Sequence, residues 1–167
     1  MAKKYNYEKN GKQYFRKTKT IGHDIKGNPI KKEFYGDGEK DCDRQIEEYI
    51  NNIKSGLPVG YEKITVSMAM HSWLFDVLFH ADDFKSASFE KHETNYRLYI
   101  KNSPIAILTL YNIVSLPIQQ WYNSLFEDGM STTKIKDINK TLSTFFSYEI
   151  TQNMLRYNPC TNKRVRI

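Results

Sequence analysis

The residues of this chain that could do chemistry favour binding over catalysis. Residues 12–20, with the sequence Lys-Gln-Tyr-Phe-Arg-Lys-Thr-Lys-Thr, interleave cations, aromatic rings and hydroxyls. In a β-strand neighbouring side chains point to opposite faces, so one face can pack on a helix while the other points outward. A sheet face that carries Lys, Arg and Tyr can enter the major groove of DNA. The alternative is an exposed face whose lysines only keep the sheet edge soluble.

The positive charge is concentrated near the start of the chain. The 167 residues contain 25 Lys+Arg and 19 Asp+Glu, a net charge of +6. Residues 1–36 hold ten cations and three anions, hence a net charge of +7. Residues 37–48 are acidic, and residues 163–166, Lys-Arg-Val-Arg, are basic again. Such clustering favours contact with nucleic acid.

The sequence offers no catalytic residue, no metal site and no cofactor site. Gly22 and Gly27 have phosphate-loop spacing, but Asn-Pro follows where that loop has Gly-Lys. The histidines have no zinc-like spacing, and no Cys–His or Ser–His–Asp arrangement can be proposed from their positions. They are His23, His71, His80 and His92.

Cysteine usage and hydropathy suggest a soluble protein of a reducing compartment. Cys42 and Cys160 form no Cys-x-x-Cys pair. Apolar runs stay well below the roughly 18 residues that span a membrane. The N-terminus is charged but lacks the apolar stretch of a signal peptide. We therefore expect a cytoplasmic protein that does not contact a membrane.

Three short strands and one helix are predicted for residues 1–56. Asn10-Gly11 is a strong hairpin signal, and residues 22–29 are rich in turn formers. The next segment has a single apolar stripe typical of a helix that covers one sheet face. The stripe consists of Cys42, Ile46, Tyr49, Ile50 and Ile53. Residues 57–64, which include Gly and Pro, are predicted to be a linker.

Residues 65–159 show helical periodicity throughout. Met70, Trp73, Leu74 and Val77 recur at the spacing of an amphipathic helix. Further helices are predicted after residue 86, after Ser115 and after Ser131, whereas the type of the apolar stretch 105–114 stays open. The predicted fold class is therefore α+β: a three-stranded antiparallel sheet with one packed helix, followed by an all-α bundle of four or five helices. Residues 160–167 form a basic tail.

Taken in order, these segments resemble the tyrosine-recombinase integrases of phages and conjugative transposons. The first part is similar to their N-terminal arm-binding domain, which is itself similar to the plant AP2 sheet. The residues that carry this resemblance are Tyr14-Phe15-Arg16-Lys17, Ile21-Gly22, Asp24, Gly27, Ile30-Lys31-Lys32 and Phe34-Tyr35-Gly36. The second part resembles their SAM-like core-binding domain. Its matching residues are Thr65-Val66, Trp73-Leu74, residues 113–121, residues 129–135 and Asn158-Pro159.

The resemblance also exposes a departure from the family. In that family a catalytic domain with a His-x-x-Arg pair and a nucleophilic Tyr follows the Asn-Pro. Here no His is followed by Arg three residues later, so none of the 12 tyrosines is assigned as nucleophile. We expect a truncated product or a piece of a longer enzyme, inactive alone, whose residues 160–167 lead toward the missing domain.

The resemblance implies the DNA-binding portion of a site-specific integrase, acting in DNA integration and recombination in a bacterial host cell. Its partners would be double-stranded DNA, at arm-type and core-type sites, and other integrase protomers. The DNA-binding residues predicted in the first module are Lys12, Arg16, Lys17, Lys19, Lys31, Lys32 and Tyr35. Those predicted in the second are Lys85, Arg97, Thr133, Lys134, Lys136 and Lys140, and those predicted in the basic segment 160–167 are Lys163 and Arg164.

Two other functions stay open on the sequence. One is a standalone sequence-specific DNA-binding regulator that uses the same sheet. The other is a helical protein-interaction module whose Tyr and Phe side chains form a partner surface. DNA binding without recombination would favour the first, and failure to bind DNA at low salt would favour the second.

Overall fold

A computed structural model describes residues 5–81, 86–161 and 163–167 of the chain. The chain divides into two compact units, Met1–Val59 and Gly60–Ile167. The first contains a sheet and a helix, and the second is helical. This arrangement confirms the predicted α+β fold class. Within the described ranges, every helix is too short or too polar to cross a membrane.

The sheet is an antiparallel meander of three strands in the order β1-β2-β3. Its strands are β1 (Tyr7–Lys9), β2 (Lys12–His23) and β3 (Pro29–Gly36). Asn10 and Gly11 join the first two strands and both have positive φ, 52° and 74°. Two such residues form the turn whose twist matches that of a hairpin, which is why Asn-Gly predicted it. A register shift between Thr20 and Gly22 marks a bulge in β2.

Helix α1 (Glu39–Lys54) covers one face of this sheet. The ring of Phe34 on β3 packs edge-on against the ring of Tyr49, with centroids 5.6 Å apart. The Cys42 thiol is fully buried and donates to the carbonyl oxygen of Phe15 at 2.7 Å. Gly36 allows the strand end to approach the helix, because a Cβ there would lie 2.8 Å from both the Asp41 carboxylate and the Cys42 backbone nitrogen.

Four α-helices are described in the second unit. They are α2 (Val66–Ser72), α3 (Ser86–Asn95), α4 (Ser115–Glu127) and α5 (Thr132–Thr151). Helix α2 continues through a π-helical turn, Trp73–Val77, and α3 through another, Tyr96–Ile100. The apolar stretch 105–114 forms turns and a short 3-10 helix, Leu110–Asn112, and includes a bridge from Thr109 to Thr65, just before α2.

Helix α5 forms the centre of the helical core. Its fully buried apolar side chains recur at the three- and four-residue spacing of one helix face, and they are Ile135, Ile138, Leu142, Phe145 and Phe146. The buried Thr141 hydroxyl is satisfied by polar partners on α3. It lies 2.9 Å from the Asn95 amide nitrogen and 3.0 Å from Nδ1 of His92.

Glu149 places a carboxyl group on the same buried face of α5. The residue is only 5% exposed, and burial raises the pKa of its carboxyl from 4.5 to about 7. Between these two values the unfolded chain has lost the proton that the folded chain still holds. The free energy of unfolding therefore falls as pH rises through this interval, by up to about 3 kcal/mol.

Glu149→Gln should remove this pH dependence, because the amide has no proton to lose in that range. Relative to the variant, we expect wild type to lose stability between pH 5 and pH 8, so that the variant is the more stable of the two at pH 8 by about 1–3 kcal/mol. Urea denaturation at pH 5, 6, 7 and 8 measures both quantities. Glu127→Gln, at the exposed end of α4, is the matched control and should retain the pH dependence of wild type. An equal pH dependence of stability in wild type and Glu149→Gln would contradict the assignment.

Candidate nucleic-acid interface

The strand register determines which side chains of the sheet point away from α1. Lys17 is paired opposite Phe34, whose ring packs on the helix, whereas Arg16 is paired opposite Tyr35. Side chains alternate along a strand, so every second residue shares the side of Arg16. We call this side the outer face. It consists of Tyr7, Lys9, Lys12, Tyr14, Arg16, Thr18, Thr20, Lys31, Glu33 and Tyr35.

The seven residues predicted for DNA binding in this unit do not share one face. Four of them lie on the outer face, namely Lys12, Arg16, Lys31 and Tyr35. The other three, Lys17, Lys19 and Lys32, lie on the side of α1. The predicted set contained neighbouring pairs, 16 with 17 and 31 with 32, and neighbours in a strand must point to opposite faces.

Two of the helix-side lysines are engaged within the unit. The Lys17 ammonium lies 2.7 Å from the Asp43 carboxylate and 3.0 Å from that of Glu39. These hydrogen bonds, that of Asp43 foremost, raise the pKa of Lys17 above its usual value. The Lys32 ammonium lies over the ring of Tyr49, 4.8 Å from its centroid. Lys19 is exposed and is paired opposite Lys32.

Aromatic rings surround the cations of the outer face. The Tyr35 ring lies 5.3 Å from that of Tyr7 and 6.2 Å from that of Tyr14. The Arg16 guanidinium lies 4.5 Å from the centre of the Tyr7 ring, and the Lys12 ammonium lies 5.2 Å from that of Tyr14. Tyr7 and Tyr14 were not predicted as DNA-binding residues. Their alternation with Lys9, Lys12 and Arg16 in the sequence could have placed them on the same face.

Glu33 is a further outer-face residue that was not predicted from the sequence. Its carboxylate lies 3.3 Å from the Arg16 guanidinium, and its other oxygen accepts a hydrogen bond from the Tyr35 hydroxyl. This hydrogen bond raises the pKa of Tyr35 above its usual value. Position 33 lies between two outer-face residues of β3, so its orientation follows from the same alternation.

In the helical unit, the predicted residues of α5 lie on two different sides. Thr133, Lys136 and Lys140 are exposed and are spaced three and four residues apart, which places them along one stripe of the helix. Lys134 lies apart from this stripe. Its ammonium donates to the Asn95 side-chain oxygen at 2.8 Å and lies 4.8 Å from the centre of the Tyr99 ring.

The other DNA-binding residues predicted before α5 are Arg97 and Lys85. Arg97 is exposed on the π-helical turn Tyr96–Ile100 and forms an ion pair with Glu93 at 2.9 Å. Lys85 lies outside the described residues. Lys91 of α3, which was not predicted, forms an ion pair with Asp137 of α5 at 2.6 Å. The hydrogen bond from Lys91 lowers the pKa of Asp137.

The C-terminal segment, of which residues 158–161 and 163–167 are described, is fastened to α4 and α5. The Asn158 amide nitrogen donates to the Ser143 carbonyl oxygen at 2.8 Å and to the Ser147 hydroxyl at 2.9 Å. Its oxygen accepts from the backbone of Cys160 at 2.9 Å. Farther along, the side-chain oxygen of Gln119 on α4 accepts a hydrogen bond from the Arg166 N–H at 2.7 Å. The amide nitrogen of Gln119 donates to the Arg166 carbonyl oxygen at 2.9 Å. The buried Val165 lies between these two anchors.

This anchoring brings the two predicted lysines 140 and 163 to one groove. The groove lies between α5 and the C-terminal segment and is lined by Asn139, Lys140, Ser143, Thr144, Cys160, Thr161 and Lys163. Arg164 follows Lys163 in the chain, and its guanidinium lies 4.0 Å from the centre of the Tyr157 ring. Ammonium groups, hydroxyls and an amide together are suited to binding phosphate.

The thiols and acidic groups do not suggest a different chemistry. Among the described residues, His, Cys, Asp and Glu form no group of three that could hold a metal ion. Both cysteines are buried and free, and burial raises the pKa of Cys160 to about 12. A thiol that stays protonated is a poor nucleophile.

A comparison with known proteins finds a relative among the tyrosine recombinases. Over its whole length, the chain is 46% identical to a protein named tyrosine recombinase XerC-like, from Caldanaerobacter subterraneus subsp. tengcongensis. The whole chain is therefore similar to part of a tyrosine recombinase. The family resemblance inferred from the motifs is thus confirmed. The chain spans 42% of the length of that relative. No protein-family model and no solved structure matches the chain.

Asn158→Ala should release the C-terminal segment, because it removes the side-chain bonds to Ser143, Ser147 and Cys160. We expect a loss of about 1–3 kcal/mol in the free energy of unfolding. We also expect faster hydrogen exchange in a peptide that covers residues 159–167. Mass spectrometry and thermal denaturation measure these effects. Gln120→Ala, at an exposed position of α4, serves as the control. Unchanged exchange in Asn158→Ala would contradict the anchoring role.

Proposed function

We propose that the chain is the DNA-binding part of a site-specific tyrosine recombinase. The observation that carries this proposal is the 46% identity over all 167 residues to a tyrosine recombinase XerC-like protein. The two units supply two separate surfaces of cations and hydrogen-bonding groups, which is the chemistry that duplex DNA requires. The process would be DNA integration and recombination for a phage or an integrative and conjugative element, in the cytoplasm of a bacterial host.

The sheet unit would bind arm-type sites through its outer face. A three-stranded sheet can place one face in the major groove. The outer face presents Lys9, Lys12, Arg16 and Lys31 together with threonine and tyrosine hydroxyls. The opposite face is covered by α1, whose Glu39 and Asp43 would repel phosphate. The outer face is therefore the side that DNA would approach.

The helical unit would bind core-type sites through α5 and the C-terminal segment. Lys136 and Lys140 are exposed on α5, and Lys163 lies across the groove from Lys140. Backbone N–H groups at the start of α5 could add contacts to phosphate beside Thr133. Lys134 and Lys91 would contribute less, because Asn95 and Asp137 already engage their ammonium groups.

The chain alone would bind DNA without cutting it. None of its four histidines has an arginine three residues downstream, so the His-x-x-Arg pair expected of the family's catalytic domain is missing from these 167 residues. Recombination would require that domain and other recombinase protomers on the same DNA.

Affinity for duplex DNA should fall steeply as salt rises, because cations that bind phosphate release counterions. With about six phosphate contacts, the dissociation constant should weaken about a thousandfold between 50 and 200 mM KCl. Fluorescence anisotropy with a labelled 30-base-pair duplex measures it. A change below threefold would contradict phosphate binding. Failure of the folded chain to bind at 50 mM would instead favour the protein-interaction module.

Lys31→Gln and Lys17→Gln form a matched pair that tests the outer face. Each variant removes one positive charge. Lys31 is exposed on the outer face, so its loss should weaken binding several-fold and lower the salt slope by about one. Lys17 is engaged by Asp43 and Glu39 on the other face, so its loss should leave DNA affinity within about twofold. Equal losses in the two variants would contradict the assignment of the outer face.

A further inference from the structure

Arg16 has contacts on the outer face through both its backbone and its side chain. The backbone contacts come from Asn6. The Asn6 side chain pairs with Arg16 as a strand residue would. Its amide nitrogen donates to the Arg16 carbonyl oxygen at 3.0 Å, and its oxygen accepts from the Arg16 N–H at 2.6 Å. Asn6 lies just before β1, so this pairing extends the β1–β2 ladder by one position.

The guanidinium of Arg16 is held from two further directions. The Tyr7 ring lies 4.5 Å away, a distance at which a cation is attracted to an aromatic face. The Glu33 carboxylate lies 3.3 Å away and is itself held by the Tyr35 hydroxyl. Tyr35 packs against Tyr7, with ring centroids 5.3 Å apart. The arginine thus lies in a closed ring of mutual contacts.

Stability alone does not account for this arrangement. The Arg16 and Glu33 side chains are 41% and 46% exposed, and exposed ion pairs contribute little to folding. Holding a long arginine side chain in one geometry costs conformational entropy. An arginine that is ordered before binding, however, loses less entropy when it meets a ligand.

The neighbouring carboxylate makes phosphate an unfavourable ligand for this arginine. Glu33 neutralises Arg16 locally and would repel a phosphodiester. A base edge carries no net charge, and the oxygen O6 and nitrogen N7 of guanine match the planar fork of arginine donors. The outer-face lysines at 9, 12 and 31 are point charges, which suit phosphate instead.

We propose that Arg16 reads one guanine in the major groove, and that Asn6, Tyr7 and Glu33 are positioning residues that aim its guanidinium. This inference rests on the proposed function, since it names what the outer face recognises in DNA. Arg16 supplies sequence preference, while the lysines supply affinity that does not depend on sequence.

The test begins with the preferred duplex of the full 167-residue chain, selected from a random 20-base-pair library at 100 mM KCl. Each base pair of that duplex is then replaced in turn, and the dissociation constant is measured. At one G·C pair, replacement by A·T should weaken wild-type binding about tenfold or more. Arg16→Lys keeps the positive charge but removes the planar guanidinium donors. The preference for G·C over A·T at this base pair should therefore fall below threefold, while preferences at other base pairs remain.

Glu33→Gln tests the positioning role without changing Arg16. It removes a negative charge, so affinity for every duplex should rise, yet the preference at the same G·C pair should fall at least threefold. Lys31→Gln is the control on the same face. It should weaken binding to all duplexes by a similar factor and leave the guanine preference unchanged. Melting temperatures verify that each variant is folded. If Arg16→Lys does not fold, the guanine preference of Glu33→Gln tests the inference by itself.

Two results would overturn the inference while leaving the proposed function in place. One is a wild-type chain that binds all duplexes equally. The other is an Arg16→Lys variant that retains the guanine preference or loses the same factor on every duplex. A wild-type chain that binds no DNA at low salt would overturn the proposed function together with this inference.

Discussion

The packing of Phe34 against Tyr49 decides how every other side chain of the sheet is used. Because strand side chains alternate, burial of one β3 residue against α1 assigns all the residues paired with it to a face. Gly36 and Cys42 tighten the same contact, since the strand end meets the helix where a larger residue would not fit. The tyrosines and cations of the outer face point away from α1 because Phe34 packs against it.

In the helical unit, buried and half-buried polar side chains join the elements to one another. Thr141 joins α5 to α3 through Asn95 and His92, and Asn158 joins the C-terminal segment to α5. Buried polar groups need partners, so these bonds select one arrangement of the elements among several that would bury the same apolar area. The groove that contains Lys140 and Lys163 exists because the segment is anchored in this way.

Local patterns were sufficient to predict much of the fold. The Asn10-Gly11 hairpin, the apolar stripe of α1 and the spacing on α5 each reflect interactions between residues close in the chain, and the structure has all three. The stretch 105–114 could not be assigned, because its turns depend on pairing with Thr65, more than forty residues away. The predicted DNA-binding residues were chosen by charge, which does not report on orientation, so Lys17 and Lys32 were grouped with Arg16.

The sequence by itself determined the resemblance to tyrosine recombinases, the α+β class and the basic character of the first module. It determined these because composition, periodicity and motif order are properties of the chain alone. Only the tertiary structure decided which cations point outward, that Glu33 and Tyr7 hold Arg16, and that Lys163 joins Lys140. Those relations link residues from 9 to 23 positions apart. They depend on strand register and on how a segment docks, which side-chain packing across the whole unit establishes.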